Sequence, residues 1–114
     1  MQVGVRKTGD VAIVDLEGRL VAGVGDELLR DVVTELLAEK WTKILVNLSG
    51  VTAIDSSGVG ELVTSLKSCR GHGARLKIFS LHDRVRKPLH MSQILPLFEV
   101  YEEESAALAA FGKG

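Results

Sequence analysis

The stretch Ile54-Asp55-Ser56-Ser57-Gly58-Val59-Gly60 marks the point where the chain turns from an extended segment or loop into a helix. A short apolar run precedes it, and apolar residues at helical spacing follow it. The first amides of a helix have no partner within it, and the aligned peptide dipoles make that end partly positive. A serine here can cap the helix, and an exposed serine can also carry a phosphate that the helix end tolerates. From these seven residues alone, both roles are open.

Outward from this stretch, helical and extended patterns alternate, which is typical of α/β layering. Lys43 to Leu48 is nearly continuous apolar, so it predicts a strand covered on both faces at the centre of the sheet. The next helix begins near Ser57 and ends at Gly71 to Gly73, with Glu61 and Ser65 away from its apolar stripe. That stripe consists of Val59, Leu62, Val63, Leu66 and Cys69. The preceding helix has Asp26 as its predicted N-cap and the stripe Leu29, Val32, Val33, Leu36 and Leu37.

The remaining patterns complete a mixed sheet of four or five strands with about four helices packed mainly on one side. Two strands, around Val3 to Val5 and Val11 to Leu16, are joined by a hairpin turn at Thr8-Gly9-Asp10. A helix over Asp83 to Met91 contains Pro88, which should either kink the helix or make it short, with a late start in this segment. Gly18 to Gly25 is predicted to be a loop that can include a strand end. Two more strands are predicted at Arg75 to Phe79 and Phe98 to Tyr101. The last helix has Glu102 to Glu104 in its first turn and directs Ala107, Leu108 and Phe111 inward. Leu29, Val33, Leu36, Leu62 and Leu66 should be buried.

Length and composition restrict the class of protein. The 114 residues predict one domain over 1–114, and the 46% apolar content with few aromatic residues predicts an aliphatic core. The net charge of −1 argues against a nucleic-acid or anionic-membrane surface. No run is long enough to span a membrane, no signal peptide is visible, and the single cysteine suits a reducing compartment, so we expect a cytoplasmic protein.

Known catalytic and cofactor motifs do not fit. Gly58-Val59-Gly60 has Val63 where a dinucleotide fingerprint needs its third glycine, and the serines lack the glycine of a hydrolase elbow. Cys69 and His72 are too few for a metal site, so Cys69 should be a buried thiol, while His82 and His90 should cap or flank the third helix. We therefore expect no catalytic residue, cofactor or metal, with a small enzyme using Ser56 or Ser57 as a distant alternative.

Gly50 to Gly60 resembles the signature of STAS domains, the fold of bacterial anti-sigma factor antagonists. The resemblance extends over nearly the whole chain through several short segments. These are Leu16 to Leu20, Ile44 to Leu48, Gly73 to Ile78, Val85 to Lys87, Met91-Ser92 and Leu97 to Val100. In that family the serine directly after the aspartate is the usual phosphorylation site, which implies Ser56 here.

The resemblance implies a partner-switching regulator of transcription. The unphosphorylated form would bind an anti-sigma factor, often itself a serine kinase, and so free the sigma factor. Phosphorylation of Ser56 would end this binding, and a serine phosphatase would restore the unphosphorylated form. Asp55 and Ser57 would shape the helix entrance, with Ser57 bonded into the helix and Ser56 the more exposed hydroxyl, and Gly58 and Gly60 would let a partner backbone approach.

Three positions depart from the family pattern: Arg19, Val21 and Pro88. The first two bear on the surface that would bind the kinase, and Pro88 bears on the third helix. The alternative within the same fold is a scaffold module or a cytoplasmic component of a lipid-transport complex. None of the three departures touches Ser56.

Overall fold

A five-stranded sheet organises the protein in a computed structural model that describes residues 1–112. The strands are β1 (Gln2–Thr8), β2 (Val11–Leu20), β3 (Lys43–Ile54), β4 (Arg75–Phe79) and β5 (Glu99–Tyr101), and they lie side by side in chain order. β1 and β2 form the antiparallel hairpin, while β2 through β5 run parallel. The mixed sheet with β3 at its centre confirms the predicted fold class.

The helices cover the two faces of the sheet unequally. They are α1 (Asp26–Ala38), α2 (Ser56–Gly71), α3 (Asp83–Met91) and α4 (Glu104–Phe111), and a short 3-10 helix spans Leu95–Leu97. Buried residues of α1, α2 and α3 share one core with one face of the sheet, while α4 packs alone on the opposite face. Packing mainly on one side is therefore confirmed.

β3 contributes to both cores, as its continuous apolar run predicts. Ile44, Val46 and Leu48 point into the core beneath α1 to α3, and Leu45 points into the core beneath α4. All four have no exposed surface. The five helix residues predicted to be buried, Leu29, Val33, Leu36, Leu62 and Leu66, are each at most 4% exposed.

Two strands are longer than their sequences indicate, and this lengthening positions the candidate site. β2 continues to Leu20 and β3 continues to Ile54, so part of the predicted Gly18 to Gly25 loop is strand. The extension is irregular, because the β2–β3 register shifts on either side of Glu17-Gly18, where Gly18 takes a φ of 107°. β4 pairs with β3 only as far as Asn47, so the part of β3 from Leu48 to Ile54 projects past β4.

Two helix predictions need correction. α1 has Gly25 as its N-cap and Asp26 as its first residue, and the Asp26 carboxylate accepts from the amides of Gly23 and Glu27. α3 is short, at nine residues, but it is not late: it begins at Asp83 and accommodates Pro88 inside it. Pro88 has no amide to donate, so the local cost is a missing backbone hydrogen bond.

Candidate functional site

The seven-residue stretch lies at the carboxyl end of β3, where that strand passes into α2. Asp55 is extended, with φ −115° and ψ −174°, and helical geometry begins at Ser56. Ser56 and Ser57 are both exposed, whereas Gly58 and Val59 are buried. Both serine hydroxyls therefore reach solvent at the amino-terminal end of a sixteen-residue helix, where the dipole favours negative charge.

Asp55, and neither serine, caps α2. Its Oδ1 accepts from the Gly58 amide at 2.9 Å, and its Oδ2 accepts from the Ala22 amide at 3.1 Å. These amides lower the pKa of the Asp55 carboxyl, the Gly58 contact contributing most, because hydrogen bonds from amides favour the ionised form. The capping role that the sequence left open for the serines is therefore filled by Asp55, and the expected bonding of the Ser57 hydroxyl into the helix is not observed. Asp55 instead ties the start of α2 to the segment that follows β2.

The two glycines of the stretch have different surroundings. A Cβ on Gly58 would lie 2.0 Å from the Leu20 carbonyl oxygen and 2.9 Å from Ile54 Cγ1. The close approach that Gly58 permits is therefore between α2 and β2 of this chain. Gly60 is exposed, and a Cβ there would have no neighbour within 4 Å. Of the two, Gly60 leaves the surface open to an approaching backbone.

A buried polar contact joins α2 to α1, and it was not predicted from the sequence. Glu61 is only 5% exposed and Ser65 only 2%, so their placement away from the buried stripe is wrong. Arg30 of α1 donates from Nε to Glu61 Oε1 at 2.9 Å, and the Ser65 hydroxyl lies 3.3 Å from Glu61 Oε2. The four-residue spacing of Glu61 and Ser65 was the available signal, since it places both on one helix face.

His82 supports the projecting end of β3. It is the N-cap residue of α3, as predicted, and its Nε2 lies 2.5 Å from the Val51 carbonyl oxygen. A carbonyl only accepts, so the ring donates through Nε2. Val51 lies beyond the part of β3 that β4 covers, and the imidazole thus satisfies a backbone group that has no partner on β4. Sequence reasoning predicted the position of His82 but not this contact.

The surface around the serines is small and only partly apolar. We define the α2-entry surface as Ala22, Val24, Ser56, Ser57 and Gly60. All five are exposed, Val24 at 39%, and the Ala22–Asp55 hydrogen bond holds the segment after β2 beside the serines. This surface offers hydroxyl groups, backbone and the aliphatic side chains of Ala22 and Val24 to a partner.

Nearby, Arg19 is exposed and Val21 is half-buried. These are two of the three positions that depart from the family pattern. They lie at the end of β2 and directly after it, adjoining the α2-entry surface through Ala22.

Other candidate groups do not form a site. Within residues 1–112, no three histidine, cysteine or acidic side chains are grouped to hold a metal ion. Cys69 is fully buried, as predicted, and burial raises the pKa of its thiol to about 11. None of the helices in the described part of the chain is long and apolar enough to cross a membrane.

Comparison with known proteins places this geometry in a family. The model of the STAS domain family matches residues 2–107. A Thermotoga neapolitana protein named as a candidate anti-sigma factor antagonist is 34% identical over 74 residues, which span 65% of this chain and 66% of that protein. The matched stretch is thus just under two thirds of the relative's length.

Solved structures agree with the family match. The crystal structure of a candidate anti-sigma factor antagonist from Thermotoga maritima superposes with a TM-score of 0.86 at 25% identity, covering 95% of this chain and 92% of that one. The anti-sigma factor antagonist SpoIIAA in its unphosphorylated form superposes with a TM-score of 0.73 over 99% of both chains. Its 16% identity makes that likeness one of fold alone.

Proposed function

This chain belongs to the STAS domain family, and we propose that it is an anti-sigma factor antagonist that is switched off by phosphorylation of Ser56. In this proposal the unphosphorylated protein binds a cognate anti-sigma factor, a class of protein that is often itself a serine kinase, and so frees a sigma factor in the cytoplasm. Phosphorylation releases the antagonist, and a serine phosphatase restores it. The chain acts by binding, without a cofactor or a catalytic step of its own.

The observation that carries the proposal is the position of Ser56. It is the first residue of α2, it is exposed, and the cap of that helix is already supplied by Asp55. Its hydroxyl is therefore not needed to hold the fold together. A residue at such a site can exchange a hydroxyl for a phosphate while the helix end keeps its backbone contacts.

The local charges support a switch that acts on binding. A phosphate on Ser56 adds nearly two negative charges beside the Asp55 carboxylate, whose lowered pKa keeps it ionised at neutral pH. In the free protein the helix dipole and solvent offset this repulsion. Against a docked partner, water is excluded and an uncompensated charge is costly to bury. The phosphate therefore weakens partner binding more than it destabilises the folded protein.

Asp55, Ser57, Gly58 and Gly60 have separate parts in the proposal. Asp55 fixes the start of α2 through its two amide contacts, and Gly58 lets α2 lie against the end of β2. Ser57 and Gly60 belong to the α2-entry surface that the partner covers. Gly58 contributes to that surface only by setting where the helix begins.

Site-specific labelling tests the modification. The wild type, Ser56→Ala and Ser57→Ala are incubated with the cognate kinase and ATP, and the phosphorylated residue is identified by mass spectrometry. Ser57→Ala is the matched control, because both serines are exposed and neither caps α2. The proposal expects labelling of wild type and Ser57→Ala and none of Ser56→Ala. Phosphate on Ser57 alone, or undiminished labelling of Ser56→Ala, contradicts it.

A stable complex that phosphate leaves unchanged would favour the alternative. In that case the chain would serve as a scaffold module or as a cytoplasmic component of a lipid-transport complex. Turnover of an acyl or phosphoryl substrate that is lost in Ser56→Ala would favour the enzyme alternative. Measuring partner binding and substrate turnover alongside labelling therefore separates the three functions.

A further inference from the structure

Within the described residues, the sheet has one long free edge, formed by β1. Its seven residues, Gln2–Thr8, pair with β2 on one side only, and the β1–β2 register runs without a shift. The opposite edge, β5, is only three residues long. An unpaired edge strand presents a row of backbone donors and acceptors that another strand can complete. β1 contains no proline that would prevent such pairing.

The charges that usually protect an edge strand are engaged within this chain. The Arg6 guanidinium contacts Asp15 of β2 at 2.6 Å and Glu104 of α4 at 2.6 Å. The Lys7 ammonium lies 5.4 Å from the centre of the Trp41 ring. Both side chains are therefore directed onto their own fold, where they do less to repel an approaching strand.

What remains at the middle of this edge is apolar. Val5 is the central residue of β1 and is 42% exposed. Together with Val32 and Leu36 of α1 it lines an open groove of about 250 Å³, whose rim carries Lys7, Glu35 and Glu39. A valine at the centre of a free edge, beside an aliphatic groove, is the arrangement that a neighbouring strand can bury.

We propose that β1 pairs antiparallel with β1 of a second copy of this chain, about a two-fold axis through Val5. This register gives every β1 residue a partner: Val5 faces Val5, Gly4 faces Arg6, Val3 faces Lys7 and Gln2 faces Thr8. No directly opposed pair sets a charge against a like charge, so direct cross-strand repulsion does not oppose this register. The two five-stranded sheets become one continuous sheet, and both Val5 side chains are covered.

A second copy fits this edge better than a flexible peptide does. An unstructured segment must order its backbone when it pairs with β1, and the conformational entropy that several residues lose opposes binding. β1 of a second copy is already extended and held by β2 through its whole length. Because the pairing uses β1 and not α2, it is independent of the modification of Ser56.

Sedimentation equilibrium tests the pairing. The apparent molecular mass of the wild type should increase from 12.3 kDa toward twice that value as the protein concentration is raised from about 1 µM to about 1 mM. Val5→Lys sets two ammonium groups against each other on the axis and should remain monomeric. Leu97→Lys is the matched control, because Leu97 is similarly exposed, at 46%, but lies away from β1, and it should dimerise as the wild type does. A monomeric wild type, or a Val5→Lys variant that dimerises equally well, overturns the proposal.

Cysteine cross-linking tests the register without relying on Val5→Lys. Opposed Val5→Cys residues have Cα atoms about 4.5–5.5 Å apart, within the range of a disulfide, so a thiol oxidant should give a covalent dimer. Lys7→Cys should not link to itself, since the two copies of residue 7 would lie ~13 Å apart. The native Cys69 is buried and does not compete. Absence of a Val5→Cys dimer at high concentration, or equal linking through Lys7→Cys, contradicts the proposed register.

Discussion

Replacing Gly58 by alanine should destabilise the protein, although alanine is the better helix former. The added Cβ would lie 2.0 Å from the Leu20 carbonyl oxygen, whereas ordinary contacts begin near 3.4 Å. The start of α2 must therefore move by about 1.4 Å relative to β2, the difference between those distances. The same carbonyl accepts from the Asp55 amide at 3.4 Å, so the movement also disturbs that hydrogen bond.

The magnitude follows from two opposing terms. Overpacking against a backbone atom costs about 3 kcal/mol, at the upper end of the usual range, because a carbonyl in a paired strand cannot rotate away. Exchanging glycine for alanine within a helix stabilises it by about 1 kcal/mol. The net loss is about 2 kcal/mol, which lowers the melting temperature of a domain of this size by roughly 10 °C.

Gly60→Ala is the matched control, two positions along the same helix. A Cβ there has no neighbour within 4 Å, so only the helix-propensity term remains. Gly60→Ala should therefore raise the free energy of unfolding by about 0.5–1 kcal/mol, measured by urea denaturation beside Gly58→Ala. If Gly58→Ala is as stable as the wild type, or if both variants shift equally, the argument that α2 sits tightly on β2 fails.

Three further predictions concern ionisable groups. Folding lowers the pKa of Asp55, so its charge stabilises the protein above the unfolded pKa of about 3.9, and this stabilisation is lost as the pH falls through the folded pKa. The melting temperature of Asp55→Asn should therefore fall less steeply than that of the wild type between pH 5 and 2. An equally steep fall in both proteins would contradict the capping role of Asp55. Arg30→Ala should destabilise the protein at pH 7, because it leaves the buried Glu61 carboxylate without its cation. In a double-mutant cycle, adding Glu61→Leu should recover part of the lost free energy of unfolding, and strictly additive effects of the two substitutions would refute the coupling. With its pKa near 11 and no exposed surface, Cys69 should react with a thiol reagent at pH 8 at least 100-fold more slowly in the native state than in urea, and comparable rates would show that α2 does not bury it.

The central parts of the fold could be predicted because their residues have one favourable environment. The apolar run at Lys43 to Leu48 fits only a strand covered on both faces, and the stripes of α1 and α2 match the helical period over several turns. These patterns depend on burial, which sequence periodicity reports directly. The order of the elements and the central position of β3 followed from them.

The details of the site depended on contacts between segments far apart in sequence. Asp55 caps α2 while it also binds the amide of Ala22, and local capping preference does not distinguish aspartate from serine there. Glu61 is buried because Arg30 on another helix neutralises it. The projecting end of β3 resembles a loop in sequence. Its pairing with β2 is irregular, and His82 from another segment binds its Val51 carbonyl oxygen. Such tertiary contacts override the local pattern.

The measurement that tests the central claim most directly is the affinity of Ser56→Asp and Ser56→Ala for the cognate anti-sigma factor, by isothermal titration calorimetry. Both variants should keep near-native melting temperatures, because Asp55 and not Ser56 caps α2. A penalty of about 1–3 kcal/mol at the interface predicts that Ser56→Asp binds roughly 5- to 150-fold more weakly than Ser56→Ala. Equal affinities for the two folded variants would contradict the account.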